Sequence, residues 1–101
     1  MTIHFTQEET QIMCQALARW GIDAQIGQAI EECAELIVAL QKHINRTSVL
    51  EGNESILDEM ADVEIMLAQI RIALDIGDAT LRDRIGYKLK RLCCYMDDDE
   101  M

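Results

Sequence analysis

Between Ile56 and Leu74 the chain carries two apolar stripes where an ordinary surface helix carries one, and no other feature limits its possible folds so much. At about 100° of rotation per residue, Ile56, Met60, Val63, Leu67, Ile70 and Leu74 form the first stripe. Ala61, Ile65, Ala68 and Ile72 form the second, roughly 150° away. Two stripes require two packing partners. Of the sectors between them, one holds Leu57, Glu64, Arg71 and Asp75 and reads as the solvent side. The other holds Glu59, Asp62, Met66, Gln69 and Ala73, so it faces inward and takes two acids with it.

The rest of the chain supplies helices to pack against this one. Half of the 101 residues are apolar, aromatics are few and proline is absent, which suits long uninterrupted helices in one all-α domain spanning 1–101. Helix one is expected from about Thr6, with Glu9 completing a capping box, to about Trp20, with Gly21 as its stop. Asp23 reads as the cap of a second helix that buries Ile26, Ile30, Cys33, Ile37, Leu40 and Ile44 and ends near Asn45 or Arg46. The stretch TSVLEGN at 47–53 reads as a loop, with Gly52 and Asn53 as turn formers. A third helix then runs from about Glu54 to Ile76, and Gly77 with Asp78 breaks it and caps a fourth. That fourth helix, about Ala79 to Met96, is expected to bury Leu81, Ile85, Leu89, Leu92 and Met96, leaving 97–101 as a solvated acidic tail. The architecture is a four-helix bundle-like domain, and so short a chain has difficulty covering both faces of helix three without self-association.

A net charge of −10 opposes broad contact with a nucleic acid polymer or an anionic membrane. No early segment reads as a signal peptide and no apolar run is long enough to span a bilayer, so a cytoplasmic location is expected. Cys14, Cys33, Cys93 and Cys94 lack CxxC spacing and are expected to be reduced, buried thiols.

The acids need an explanation. Glu32 and Glu35 share one face of helix two, offset from its apolar stripe, and match Glu59 and Asp62 on helix three in spacing. Either pair alone is more often a solvated face. Together, with one pair at a packing seam, they form an oxygen cage for a hard divalent cation, Mg²⁺ or Mn²⁺, with no His or Cys to soften it. Helix four holds five of the nine basic residues, and Arg84, Lys88 and Arg91 line one face with Tyr95 a turn further on. Alone they suit snorkelling or surface ion pairs; beside a metal cage they suit phosphate. Lys42 and Arg46 are second candidates for phosphate contact, though both also suit a helix C-terminus.

The segment EECAEL at 31–36, followed by EMAD at 59–62, resembles the ExxE and ExxD motif pair of the MazG-like, all-α nucleoside triphosphate pyrophosphohydrolases. Lys88 and Arg91 in KLKRL resemble that family's basic C-terminal helix, and the likeness spans about 23–92. It implies hydrolysis of a nucleoside triphosphate to monophosphate and pyrophosphate, with Mg²⁺ on Glu32, Glu35, Glu59 and Asp62, in a dimer or tetramer. Glu31, Glu32 and Glu35 are then the candidate proton acceptors, Arg84, Lys88 and Arg91 the phosphate contacts, and Trp20 or Phe5 a surface for the base. Two alternatives stand beside it: a non-catalytic helical dimerisation or partner-binding module with merely solvated acids, and a degenerate member that binds nucleotide. A dinuclear iron or manganese carboxylate site is set aside because neither His4 nor His43 lies three residues after a motif acid.

Overall fold

The computed structural model describes the backbone of residues 4–45 and 49–99, and their side chains apart from those of 49–54 and 98–99. It is all-α, with α1 at Gln7–Trp20, α2 at Ile22–Asn45, α3 at Val49–Ala73 and α4 at Asp78–Asp99, and no strand among the described residues. Arg46, Thr47 and Ser48, and Glu100 and Met101 of the acidic tail, lie outside those residues.

Local chemistry sets most of the boundaries. The Glu9 amide donates to Thr6 Oγ1 at 3.1 Å and the Thr6 amide donates to Glu9 Oε1 at 2.8 Å, which is the expected capping box of α1. Gly21 ends α1 at φ 90, a conformation that favours glycine, and its amide donates to the Leu17 carbonyl at 2.9 Å. Its own carbonyl accepts from the Gln25 amide at 3.2 Å, so one residue closes α1 and opens α2. Asp23 is therefore not the cap. It lies in the first turn of α2, where its charge still suits the positive end of the helix.

Two expected boundaries move. The helix expected from Glu54 begins at Val49, so Gly52 and Asn53 are helical. Their unfavourable propensities, about 1 kcal/mol for glycine, are outweighed because each residue added to an existing helix gains a hydrogen bond and no proline interrupts. At the other end α3 stops at Ala73, because Asp75 turns left-handed at φ 55. The Ile76 amide donates to the Arg71 carbonyl at 2.8 Å and the Asp75 amide to the Ile72 carbonyl at 3.3 Å, the paired bonds of a Schellman ending. Asp75, rather than Gly77, is thus the breaking residue. The fourth helix continues past Met96 to Asp99; acids at a helix C-terminus cost only fractions of a kcal/mol each, and neither glycine nor proline stops it.

α2 and α3 run antiparallel, with Gln25 bonded to Gln69 near one end of their contact and Ala39 beside Ser55 near the other. α1 packs on part of the second stripe of α3, setting the buried Met13 beside the buried Ala68, while Ala61, Ile65 and Ile72 stay exposed. The inward sector of α3 is as expected in part: Met66 and Gln69 are buried and Glu59 and Ala73 half-buried, but Asp62 is exposed; opposite, Leu57, Glu64 and Asp75 are exposed and Arg71 is half-buried.

The expected core of α2 is not buried. Gln25, Ala29 and Ala39 are its buried residues, while Ile30 is 65% and Ile44 70% exposed, and Cys33, Ile37 and Leu40 are exposed with them. α3 takes the narrow face of small and polar residues on α2; of the isoleucine stripe Ile26 is half-buried, and Ile30, Ile37 and Ile44 are left uncovered by the described residues. α4 behaves similarly. Apart from an Arg71–Asp78 ion pair at 3.1 Å in its first turn, it stands away from α1, α2 and α3, and Ile85, Leu89, Leu92 and Met96 are exposed. All four cysteines are free and exposed, contrary to the expected buried thiols, because Cys33, Cys93 and Cys94 belong to these uncovered helix surfaces. The radius of gyration, 16.6 Å, exceeds the roughly 13 Å of a compact domain of this length. No helix among the described residues is long and apolar enough to cross a membrane.

Candidate functional site

Small side chains bring α2 and α3 close: where larger residues would hold the helices apart, α2 presents the buried Ala29 and Ala39. Between these alanines the acids meet. One oxygen from each of Glu32, Glu59 and Asp62 lies within 4.8 Å of the others. Glu32 and Glu59 are half-buried and Asp62 is exposed.

The hydrogen bonding around this cluster is incomplete. Gln28 Nε2 donates to Glu32 Oε1 at 2.8 Å, holding that carboxylate from one turn away. The other oxygen of Glu32 and Oε2 of Glu59 are buried and have no hydrogen-bond partner. Unpaired carboxylate oxygens out of contact with water are costly, and a bound cation relieves them. The donors are all carboxylate oxygens, a set that fits a hard divalent ion.

Glu35 sits at the rim, exposed but coupled to the cluster. The negative charge of Glu59 raises its pKa, with burial and the charge of Asp62 adding to the effect. Asp62 is also raised, first by desolvation and then by the negative charge of Glu32. Repulsion between a carboxylate on α2 and one on α3 leads the shift of Glu35 and adds to that of Asp62. The four acids of the two motifs are therefore brought together, three as a tight group and Glu35 beside Glu59. Glu31 is exposed, about 100° further round the helix from Glu32, and takes no part in the group.

A cavity of about 280 Å³ opens beside Glu35 and Glu59, with Val38, Lys42 and Ser55 on its walls. Lys42, a second candidate from sequence, is the cation the chain places here. Ser55 was not anticipated, although it stands one turn before Glu59 on the same helix, a signal available from spacing alone. Arg84, Lys88 and Arg91 are exposed on α4 and do not reach the acids within one chain, because α4 does not fold back after the Schellman ending of α3. Arg91 instead donates to Tyr95 Oη at 2.8 Å, with its guanidinium carbon 5.8 Å from that ring's centre.

The aromatic candidates lie elsewhere. Trp20 is exposed at the corner between α1 and α2, with Arg19 over its ring at 5.7 Å. Glu32 lies roughly 15 Å further along the axis of α2 by helical rise. Phe5 lines a separate cavity of about 390 Å³ with Met13, Ile72 and Arg71, away from the acids.

Protein-family models, curated proteins and solved structures yield no match to this chain.

Proposed function

We propose that this chain is a Mg²⁺-dependent nucleoside triphosphate pyrophosphohydrolase, cleaving between the α and β phosphates to release the monophosphate and pyrophosphate. The carrying observation is the convergence of Glu32, Glu59 and Asp62, with two buried unpaired oxygens, beside a cavity that also holds Lys42. The likeness of EECAEL and EMAD to the MazG-like motif pair supplies the reaction type.

Glu32, Glu59 and Asp62 hold the ion, with Glu35 at the open edge. Mg²⁺ or Mn²⁺ bound there supplies Lewis acidity toward a phosphate oxygen and makes a coordinated water more acidic. Glu35 is the proton acceptor of choice: it is exposed to incoming water, adjoins the ligands, and its raised pKa moves its basicity toward neutral pH. Lys42 takes up charge on the phosphates. Arg84, Lys88 and Arg91 join only when α4 of one protomer lies over the acidic seam of another, so self-association belongs to the same proposal. The uncovered apolar faces of α2 and α4 support it.

The test is a screen of ribo- and deoxyribonucleoside triphosphates with Mg²⁺, measuring pyrophosphate and orthophosphate separately. Pyrophosphate with monophosphate is the expected product pair; orthophosphate with diphosphate would place the cleavage at a different bond. The exposed isoleucine stripe of α2 favours a second possibility, a partner-binding module without catalysis. The two differ in metal response, because a ion bound only by the native state raises the melting temperature. No shift at millimolar Mg²⁺ would favour the module.

A further inference from the structure

We propose that the buried pair Gln25 and Gln69 is a register lock, holding α2 and α3 at the one alignment that superposes the acids of the two motifs. Gln25 Nε2 donates to Gln69 Oε1 at 2.6 Å, and the two residues are only 8% and 5% exposed. Two turns along α2 from Gln25 stands Glu32, and two turns back along α3 from Gln69 stands Asp62. Glu35 and Glu59 are displaced equally from that pair in turn, and so are Ala39 and Ser55 at the far end. One antiparallel alignment thus places the amides, both acid pairs and the cavity wall opposite each other, in agreement with the Gln25–Gln69 bond, the clustered oxygens of Glu32 and Asp62, and the cavity shared by Glu35, Glu59, Ala39 and Ser55.

The buried small and flexible residues of the seam fix that alignment only weakly. Ala29 and Ala39 offer no knobs to resist sliding, Met66 is flexible, and the carboxylates repel one another. A buried amide pair is different: any slip leaves both side chains unpaired away from water, a penalty that apolar residues do not impose. Single buried polar residues specify register in coiled coils in the same way, at a cost in stability. Gln25 and Gln69 are positioning residues, acting through the alignment of Glu32, Glu35, Glu59 and Asp62.

The functional consequence rests on the metal-binding proposal, but the register does not, and the experiment separates them. Q25M/Q69M keeps side-chain length and removes the hydrogen bond; Q25L/Q69L is the second variant should the first not fold. Three quantities are measured on the full chain: melting temperature, Mn²⁺ dissociation constant, and the interhelical nuclear Overhauser contacts that report which residues of α2 face which of α3. Expected are an unchanged or higher melting temperature, Mn²⁺ binding weakened at least tenfold, and contacts from more than one alignment. A single unchanged alignment overturns the lock, whatever the metal does. If the unsubstituted protein binds no Mn²⁺, the metal proposal fails while the contacts still decide the register. If neither variant folds, the pair serves stability in place of register and the inference is overturned.

Discussion

At the scale of single residues, the informative fact is that Glu35 and Asp62 titrate above the ordinary values of 4.5 and 3.8. A carboxyl that binds its proton more tightly when folded contributes stability below the unfolded pKa, and that contribution is lost as pH rises through the folded pKa. Without metal, the melting temperature should therefore fall as pH is raised from the ordinary carboxylate range through the raised values, and millimolar Mg²⁺ should flatten the dependence. A metal-free melting temperature that rises over that window would contradict the repulsion described here. Glu59→Gln and Asp62→Asn remove one charge from the cluster, so each should raise metal-free stability while abolishing both Mg²⁺-dependent stabilisation and pyrophosphate release. Lys42→Ala should leave Mg²⁺ stabilisation intact and reduce turnover at least tenfold if it meets the phosphates, measured as initial rates with saturating metal.

Individual helices show where local chemistry suffices and where it does not. The left-handed Asp75 at the end of α3 carries a side-chain penalty that glycine lacks, so Asp75→Gly should stabilise the protein by about 1 kcal/mol, read from chemical denaturation. The capping box of Thr6 and Glu9 was legible because both partners lie within four residues of sequence. So was most of the inward sector of α3, since a helix wheel needs no knowledge of the partner, although Asp62 at its edge is exposed. The face that α2 buries was not legible. Hydrophobicity pointed to Ile30, Cys33 and Ile37, yet the contact with α3 uses Gln25, Ala29 and Ala39, because close approach and amide pairing decided it. The acids could be matched by spacing, but that Glu35 stands at the rim and Lys42 by the cavity depended on the antiparallel alignment. The basic stripe of α4 was legible as a stripe, while its distance from the acids was set by a turn whose direction the sequence pattern does not encode.

For the whole molecule, area and shape point the same way. A compact monomer of this mass exposes about 5,800 Å², whereas this chain exposes 8355 Å², an excess of roughly 2,500 Å². Removing that excess from each of two protomers would bury about 5,000 Å², toward the upper end of obligate-dimer interfaces. Sedimentation should accordingly show a dimer or larger species at micromolar concentration. Leu89→Glu, on the uncovered face of α4, should dissociate it with little change in the local packing of α1, α2 and α3; an oligomer that survives this substitution would mean that α4 is not part of the interface.

The detachment of α4 has a spectroscopic consequence. A lone helix of 22 residues is marginal in water, and among the described residues nothing beyond its first turn holds it against its own chain. Serial dilution past the point of subunit separation should thus reduce the ellipticity at ~222 nm by an amount matching the unravelling of one helix in four, well before the remaining three melt.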